Sequence, residues 1–207
     1  MKKFAIPKKI RIGGFDYIIE YPFEFDTNDY FGKTSFYNTV IKLANKTKGY
    51  KLKKSIIIET LVHELVHAID MVYLGAVLEE EDVERLSKIL VMFFKHSDFS
   101  LLDDTIPTKL CIMNEEIEVI NDYEFEDSDN SYQLNPLLGE FLINTEGQTI
   151  PRVKHGILEL CINRMINVLY IDNEELSEEN KLHAFTSGIF QVFSDNPKVE
   201  MLIKEWA

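Results

Sequence analysis

Cysteine is almost absent from this sequence: Cys111 and Cys161 are the only two in 207 residues. Two thiols build neither a disulfide framework nor a thiolate-only zinc site, and they fit a reducing compartment. No run of about 18 apolar residues exists, so no membrane span is expected. Residues 1–9 carry charge with no apolar stretch behind them, unlike a secretory leader. A cytoplasmic protein with no membrane contact is the expectation. Cations are also scarce. The 22 Lys/Arg against 35 Asp/Glu leave a formal charge of −13, which argues against non-specific binding to nucleic acid or anionic lipid. A Gly-rich phosphate loop, a serine nucleophile elbow and a basic aromatic face are all missing. Apolar material is plentiful: 45% of residues are hydrophobic and 12% aromatic, enough for a packed core.

The patterning predicts an α+β chain. Lys9-Ile10-Arg11-Ile12, the pair Gly13-Gly14 and Phe15-Asp16-Tyr17-Ile18-Ile19-Glu20 read as a β-hairpin. Residues 36–43, with Val40, Ile41 and Leu43, read as a third strand. Residues 51–74 have helical length and an apolar centre on most sides, from Ile56-Ile57-Ile58 through Leu61, Val62, Leu65, Val66, Ala68 and Ile69. Such a helix is buried, and Gly75 is a natural stop. Glu79-Glu80-Glu81-Asp82 puts acid into the first turn of a second helix, where the dipole favours it. Its apolar stripe is Val83, Leu86, Leu90, Phe93 and Phe94.

A shift of 100 superimposes the second half on the first. Ile6-Pro7 falls on Ile106-Pro107, Lys9 on Lys109, Ile12 on Ile112, Phe25 on Phe125, Ile57 on Ile157 and Glu59 on Glu159. In the last matched helix the shift becomes 99, so Leu86, Phe93 and Phe94 meet Phe185, Val192 and Phe193. We read a tandem duplication of about 100 residues, with units at 1–102 and 103–207. Charge separates them: residues 1–100 hold 15 Lys/Arg and 14 Asp/Glu, whereas residues 101–207 hold 7 and 21. A solvated surface accounts for the acidic half; a docking face for a basic protein partner is the sharper reading.

His63-Glu64-Leu65-Val66-His67 is an H-E-x-x-H motif. On a helix, positions i and i+4 lie one above the other on one face, so two imidazoles can share one metal ion. Glu64 beside them can reach a zinc-bound water rather than the metal. Zinc lowers the pKa of that water to about 7 and polarises a scissile carbonyl; Glu64 takes the proton and hands it to the leaving amine. Two imidazoles and a carboxylate in the most apolar helix cost several kcal/mol if left without partners, and a metal removes that cost. A third protein ligand is required. The residues themselves leave it open among Glu79, Glu80, Glu81, Asp82 and Glu84. Asp70, three residues after His67, is a candidate to support a ligand as a hydrogen-bond acceptor, or else a surface acid near the helix end. Tyr73 reads as a packing residue and His96 as a cation near a helix end. Asp26, Asp29, Asp127 and Asp129 read as solvated loop acids.

The run Thr60-Leu61-Val62-His63-Glu64-Leu65-Val66-His67-Ala68-Ile69-Asp70 resembles the core of the small, gluzincin-like zincin metallopeptidases of the ImmA/IrrE-like kind. It is closest to the short versions common in phages and prophages. The preceding Pro7-Lys8-Lys9-Ile10 start, hairpin and strand are similar too, and the resemblance covers roughly residues 5–98. It implies a zinc-dependent hydrolase acting on a protein or peptide, a regulatory protein such as a phage-type repressor being the implied substrate. It also implies that a Glu three before a small apolar residue on the next helix completes the site. That pattern lands on Glu80, with Val83 at the apolar position; Glu84 is the runner-up.

The second copy departs from this pattern. His63, Glu64 and His67 meet Asn163, Arg164 and Asn167, of which Asn is a poor zinc ligand and Arg cannot accept a proton. A degenerate partner domain is expected there, with no catalytic zinc. His155 and His183 have no matching ligand spacing and are expected to bind no metal. The expected fold is α+β, a zincin-like half (small partly antiparallel sheet, two main helices) followed by its inactive copy. The alternative is a non-catalytic interaction module with a structural zinc and an acidic partner-binding half.

Overall fold

A computed structural model describes residues 4–27, 30–113, 115–126, 130–169, 176 and 178–207. Ile10 and Ile12 of β1 (Lys9–Ile12) are buried while Lys9 and Arg11 face water, as period-two alternation dictates. Gly13, at φ 57, turns the chain into β2 (Phe15–Phe23), so the predicted hairpin is present.

The third strand differs from expectation. Within residues 36–43 only the end is strand, β4 (Val40–Ala44); Phe36–Thr39 form a turn with Thr39 at φ 47. The turn follows an unanticipated short strand, β3 (Gly32–Ser35). Gly-Lys-Thr-Ser has no apolar alternation because β3 is the outermost strand of a four-stranded sheet ordered β1-β2-β4-β3. β2 and β4 pair in parallel, the other neighbours antiparallel. A small β5–β6 ribbon (Lys46–Thr47, Tyr50–Lys51) leads into α1 (Lys54–Ile69).

Helix α1 buries residues all round, including Ile58, Leu61, Val62, Leu65 and Ala68. That is the signature of a core helix, and it crosses β3 and β4. It ends earlier than its apolar run because residues Asp70–Leu74 open into a wider π-helical turn closed by Gly75 at φ 84. Helix α2 (Glu80–His96) follows with three acids in its first turn. Its predicted stripe of Val83, Leu86, Leu90, Phe93 and Phe94 is buried throughout.

The second half has the same order of parts: β7 (Lys109–Ile112), β8 (Glu115–Ile120), β9 (Tyr132–Asn135), β10 (Glu140–Ile143), α3 (Ile150–Val168) and α4 (Glu179–Asp195). A last helix, α5 (Pro197–Trp206), follows. Its sheet is ordered β7-β8-β10-β9. The strand registers repeat with a shift of 100: Ile10↔Tyr17 becomes Leu110↔Ile117, and Thr34↔Ile41 becomes Leu134↔Phe141. The bounds of α2 and α4 differ by 99 at both ends.

The halves interlock. Helix α2 packs on β7 of the other half, and α4 packs on β1. Phe94 and Phe193 stack face to face, with centroids 4.3 Å apart and 7° between planes. At the ends of these helices two corresponding side chains grip the opposite hairpins. Ser97 Oγ accepts the Cys111 N–H at 2.7 Å; Asn196 Oδ1 accepts the Arg11 N–H at 3.0 Å while its Nδ2 donates back to Arg11 O. One continuous apolar core holds residues of both halves. No helix among the described residues is long and apolar enough to cross a membrane.

Candidate metal centre

His63 and His67 sit one turn apart on α1, and α2 begins opposite them. Their Nε2 atoms are 3.1 Å apart. The Glu80 carboxylate bridges the pair, Oε1 lying 3.1 Å from His63 Nε2 and Oε2 3.1 Å from His67 Nε2. Two nitrogens and a carboxylate in a triangle of this size suit one small divalent cation. Bonds of about 2.0–2.1 Å at a tetrahedral centre set donors about 3.4 Å apart. Glu80 is exposed, so its carboxylate can adjust at little cost. Of its neighbours, Glu81 pairs with Arg85 and Glu84 with Lys88. Glu84 lines the same cleft but belongs to that ion pair.

Glu64 is the one buried member, 5% exposed. Its Oε2 accepts the Thr34 hydroxyl at 2.7 Å, so the unanticipated edge strand β3 orients it. Gly32, two residues earlier on the same face, makes room: a Cβ there would lie 2.5 Å from Glu64 Oε1 and 2.6 Å from Thr60 Cγ2. Burial pushes the Glu64 carboxyl up to about 7; the Thr34 hydroxyl opposes that rise and the nearby Glu80 charge adds to it. Burial, with His67 beside it, lowers the pKa of His63 and favours the neutral imidazole a metal needs.

These groups line a cleft of about 830 Å³, walled by Tyr30, Phe31 and Phe36 on one side and Ser87 and Lys88 on the other. Strand β3 forms its rim. No family model, curated protein or solved structure matches this chain.

Asp70 is not a surface acid, and it lies within electrostatic reach of His67. It is 2% exposed, and its oxygens accept the backbone N–H groups of Val77 at 3.0 Å and Leu78 at 3.2 Å. It therefore folds the link that brings Glu80 over α1. Tyr73 packs between the halves: it donates to Gln191, and Gly188 lies close enough that a Cβ there would meet its ring at 2.8 Å. His96 and Asp26 are exposed. Asp29, Asp127 and Asp129 lie outside the described residues.

The corresponding cleft of the second half is smaller, about 570 Å³. Asn167 donates to Asn163 at 2.7 Å, an amide pair where the first half has two imidazoles. Arg164 is 3.8 Å from Glu115. Tyr132, at the position of Gly32, lays its ring over Gly156, at the position of Ile56; a Cβ on Gly156 would lie 2.6 Å from that ring.

Sequence reasoning missed two groups. Thr34 and Gly32 lie in a polar stretch without strand periodicity, and only the sheet edge gives them meaning. The second is a cluster of His155, Glu159 and His183, whose ligand atoms lie within 4.8 Å of one another. The His155–Glu159 spacing is again i, i+4, which was visible in the sequence; the partner on α4 was not.

Proposed function

We propose that the chain is a zinc-dependent metallopeptidase acting on a protein substrate, its first half a zincin-like unit and its second half a degenerate copy. The observation that carries this reading is the joint presence of a three-ligand triangle and a buried carboxylate beside it at the bottom of one cleft. A purely structural ion needs the first and has no use for the second.

His63, His67 and Glu80 are the residues that would hold the metal. When bound, zinc supplies a Lewis acid that polarises a carbonyl and acidifies water. The rest is the work of this chain's side chains. Glu64, buried beside the three ligands, would take a proton from water and return it to the leaving group. Thr34 holds one Glu64 oxygen and leaves the other for water. Rim strand β3 is the last of its sheet, and such an edge pairs with an extended peptide through backbone hydrogen bonds. The aromatic wall of Tyr30, Phe31 and Phe36 gives substrate side chains an apolar surface.

Equal strand registers, equal helix bounds and the Phe94–Phe193 stack support the duplication. In the second half, Asn163, Arg164 and Asn167 with the Tyr132 ring over Gly156 support loss of its catalytic centre. A regulatory protein of the phage-repressor kind is the substrate class we carry forward, and a basic protein is the partner suited to the acidic half.

Glu64→Gln tests the reading. The variant is expected to retain zinc and to lose cleavage by at least about 100-fold, as removal of a general base does. Biological activity intact in Glu64→Gln would instead make the chain an interaction module with a structural zinc.

A further inference from the structure

We propose a second divalent transition-metal site in the second half, formed by His155 and Glu159 of α3 and His183 of α4. It goes beyond the hydrolytic reading and does not depend on it.

Both imidazoles aim Nδ1 at the same carboxylate oxygen. Glu159 Oε2 lies 3.0 Å from His183 Nδ1 and 3.5 Å from His155 Nδ1. All three donors fall within 4.8 Å of one another, and a small inward movement brings them to tetrahedral spacing. His183 is the exposed member, its side chain 60% accessible, and is free to make that movement. His155 is already oriented. Its other nitrogen, Nε2, lies 3.0 Å from Ser187 Oγ. A ligating imidazole characteristically bonds a neighbour through its second nitrogen, which fixes the ring and the tautomer. The Ser187 hydroxyl can accept from or donate to Nε2, so the ring can present Nδ1 as a lone pair toward Glu159 and a metal held there.

The first half shows what the second has changed. The residues matching His155, Glu159, His183 and Ser187 are Ser55, Glu59, Glu84 and Lys88. There the Lys88 ammonium bonds Glu84 and lies within electrostatic reach of Glu59. A fixed organic cation thus balances the acids. In the second half Lys88 is replaced by serine and two imidazoles have appeared, and the ion partners of Glu159 are those two histidines. Donors for a metal have taken the place of a built-in cation. Two nitrogens and one carboxylate oxygen suit Zn²⁺, and also Co²⁺ or Ni²⁺, rather than Ca²⁺ or Mg²⁺. The site sits two helical turns nearer the start of α3 than the catalytic pattern would put it. Its ion joins α3 to α4, the helix that grips β1 of the first half.

The test is zinc content per full-length chain after zinc loading and gel filtration. Wild type is expected to hold two equivalents, His183→Ala and Glu159→Gln one each, and His63→Ala/His67→Ala one. Combining His183→Ala with the first-site pair leaves none. Zinc content unchanged in both His183→Ala and Glu159→Gln overturns the site. If the first-site variant fails to fold by circular dichroism, wild type against His183→Ala decides alone, because exposed His183 can be truncated without opening the core. Co²⁺ supplies a second readout: its d–d absorption should fall by about half in His183→Ala, and an unchanged spectrum contradicts the proposal.

Discussion

Glu64 carries the most consequential single-residue physics in the chain. In the metal-free protein its burial raises the carboxyl pKa to about 7, against an unfolded value near 4.5. A raised acid favours folding while protonated. Its contribution is fully present below about pH 4.5 and is lost as pH rises through 7. Glutamine copies the protonated form and can still accept the Thr34 hydroxyl. Metal-free Glu64→Gln should therefore match metal-free wild type in stability near pH 4.5 and exceed it above pH 7, by at most about 3 kcal/mol. Urea melts at several pH values measure this, and a gap that shrinks as pH rises would refute it. The motif itself was legible in the sequence, since a 3.6-residue period alone stacks His63 over His67. Neither Thr34 nor Gly32 was legible, because their roles come from a sheet edge set by pairing with β4.

Whole elements were read well where periodicity was long and poorly where it was short. Helices α1 and α2 bury the stripes that their sequences advertise. The four-residue β3 has no pattern of its own, and the turn at Phe36–Thr39 was mistaken for strand because aromatic Phe36 and Tyr37 have strand propensity. The partner of α2 was also hidden. Its apolar stripe reveals burial but not the surface it is buried against, and that surface includes β7 of the other half. The stacked Phe94 and Phe193 are the centre of this crossed packing. Phe94 is fully buried, so Phe94→Ala should cost about 3–5 kcal/mol. The loss should appear in unfolding monitored from either half. A loss confined to the first half would contradict the crossed arrangement.

At the scale of the molecule, the strand pairings that recur at a shift of 100 followed a pattern visible in the sequence, and the interlocking did not. Sequence similarity between halves says nothing about which helix packs on which sheet. A core running through both halves, with Ser97 and Asn196 tying each half to the other's hairpin, makes a single cooperative unit. Thermal unfolding should show one transition. A 1–102 fragment should aggregate, because it exposes the face of Phe94 that Phe193 covers; cooperative melting of that fragment alone would overturn this view.

His63, His67 and Glu80 are proposed to hold a catalytic zinc. Zinc content by elemental analysis, comparing wild type with His63→Ala/His67→Ala purified without chelators, tests it most directly. The variant should hold one equivalent less than wild type while keeping its fold. Equal zinc in the two folded proteins, or none in wild type even after zinc is supplied, would contradict it.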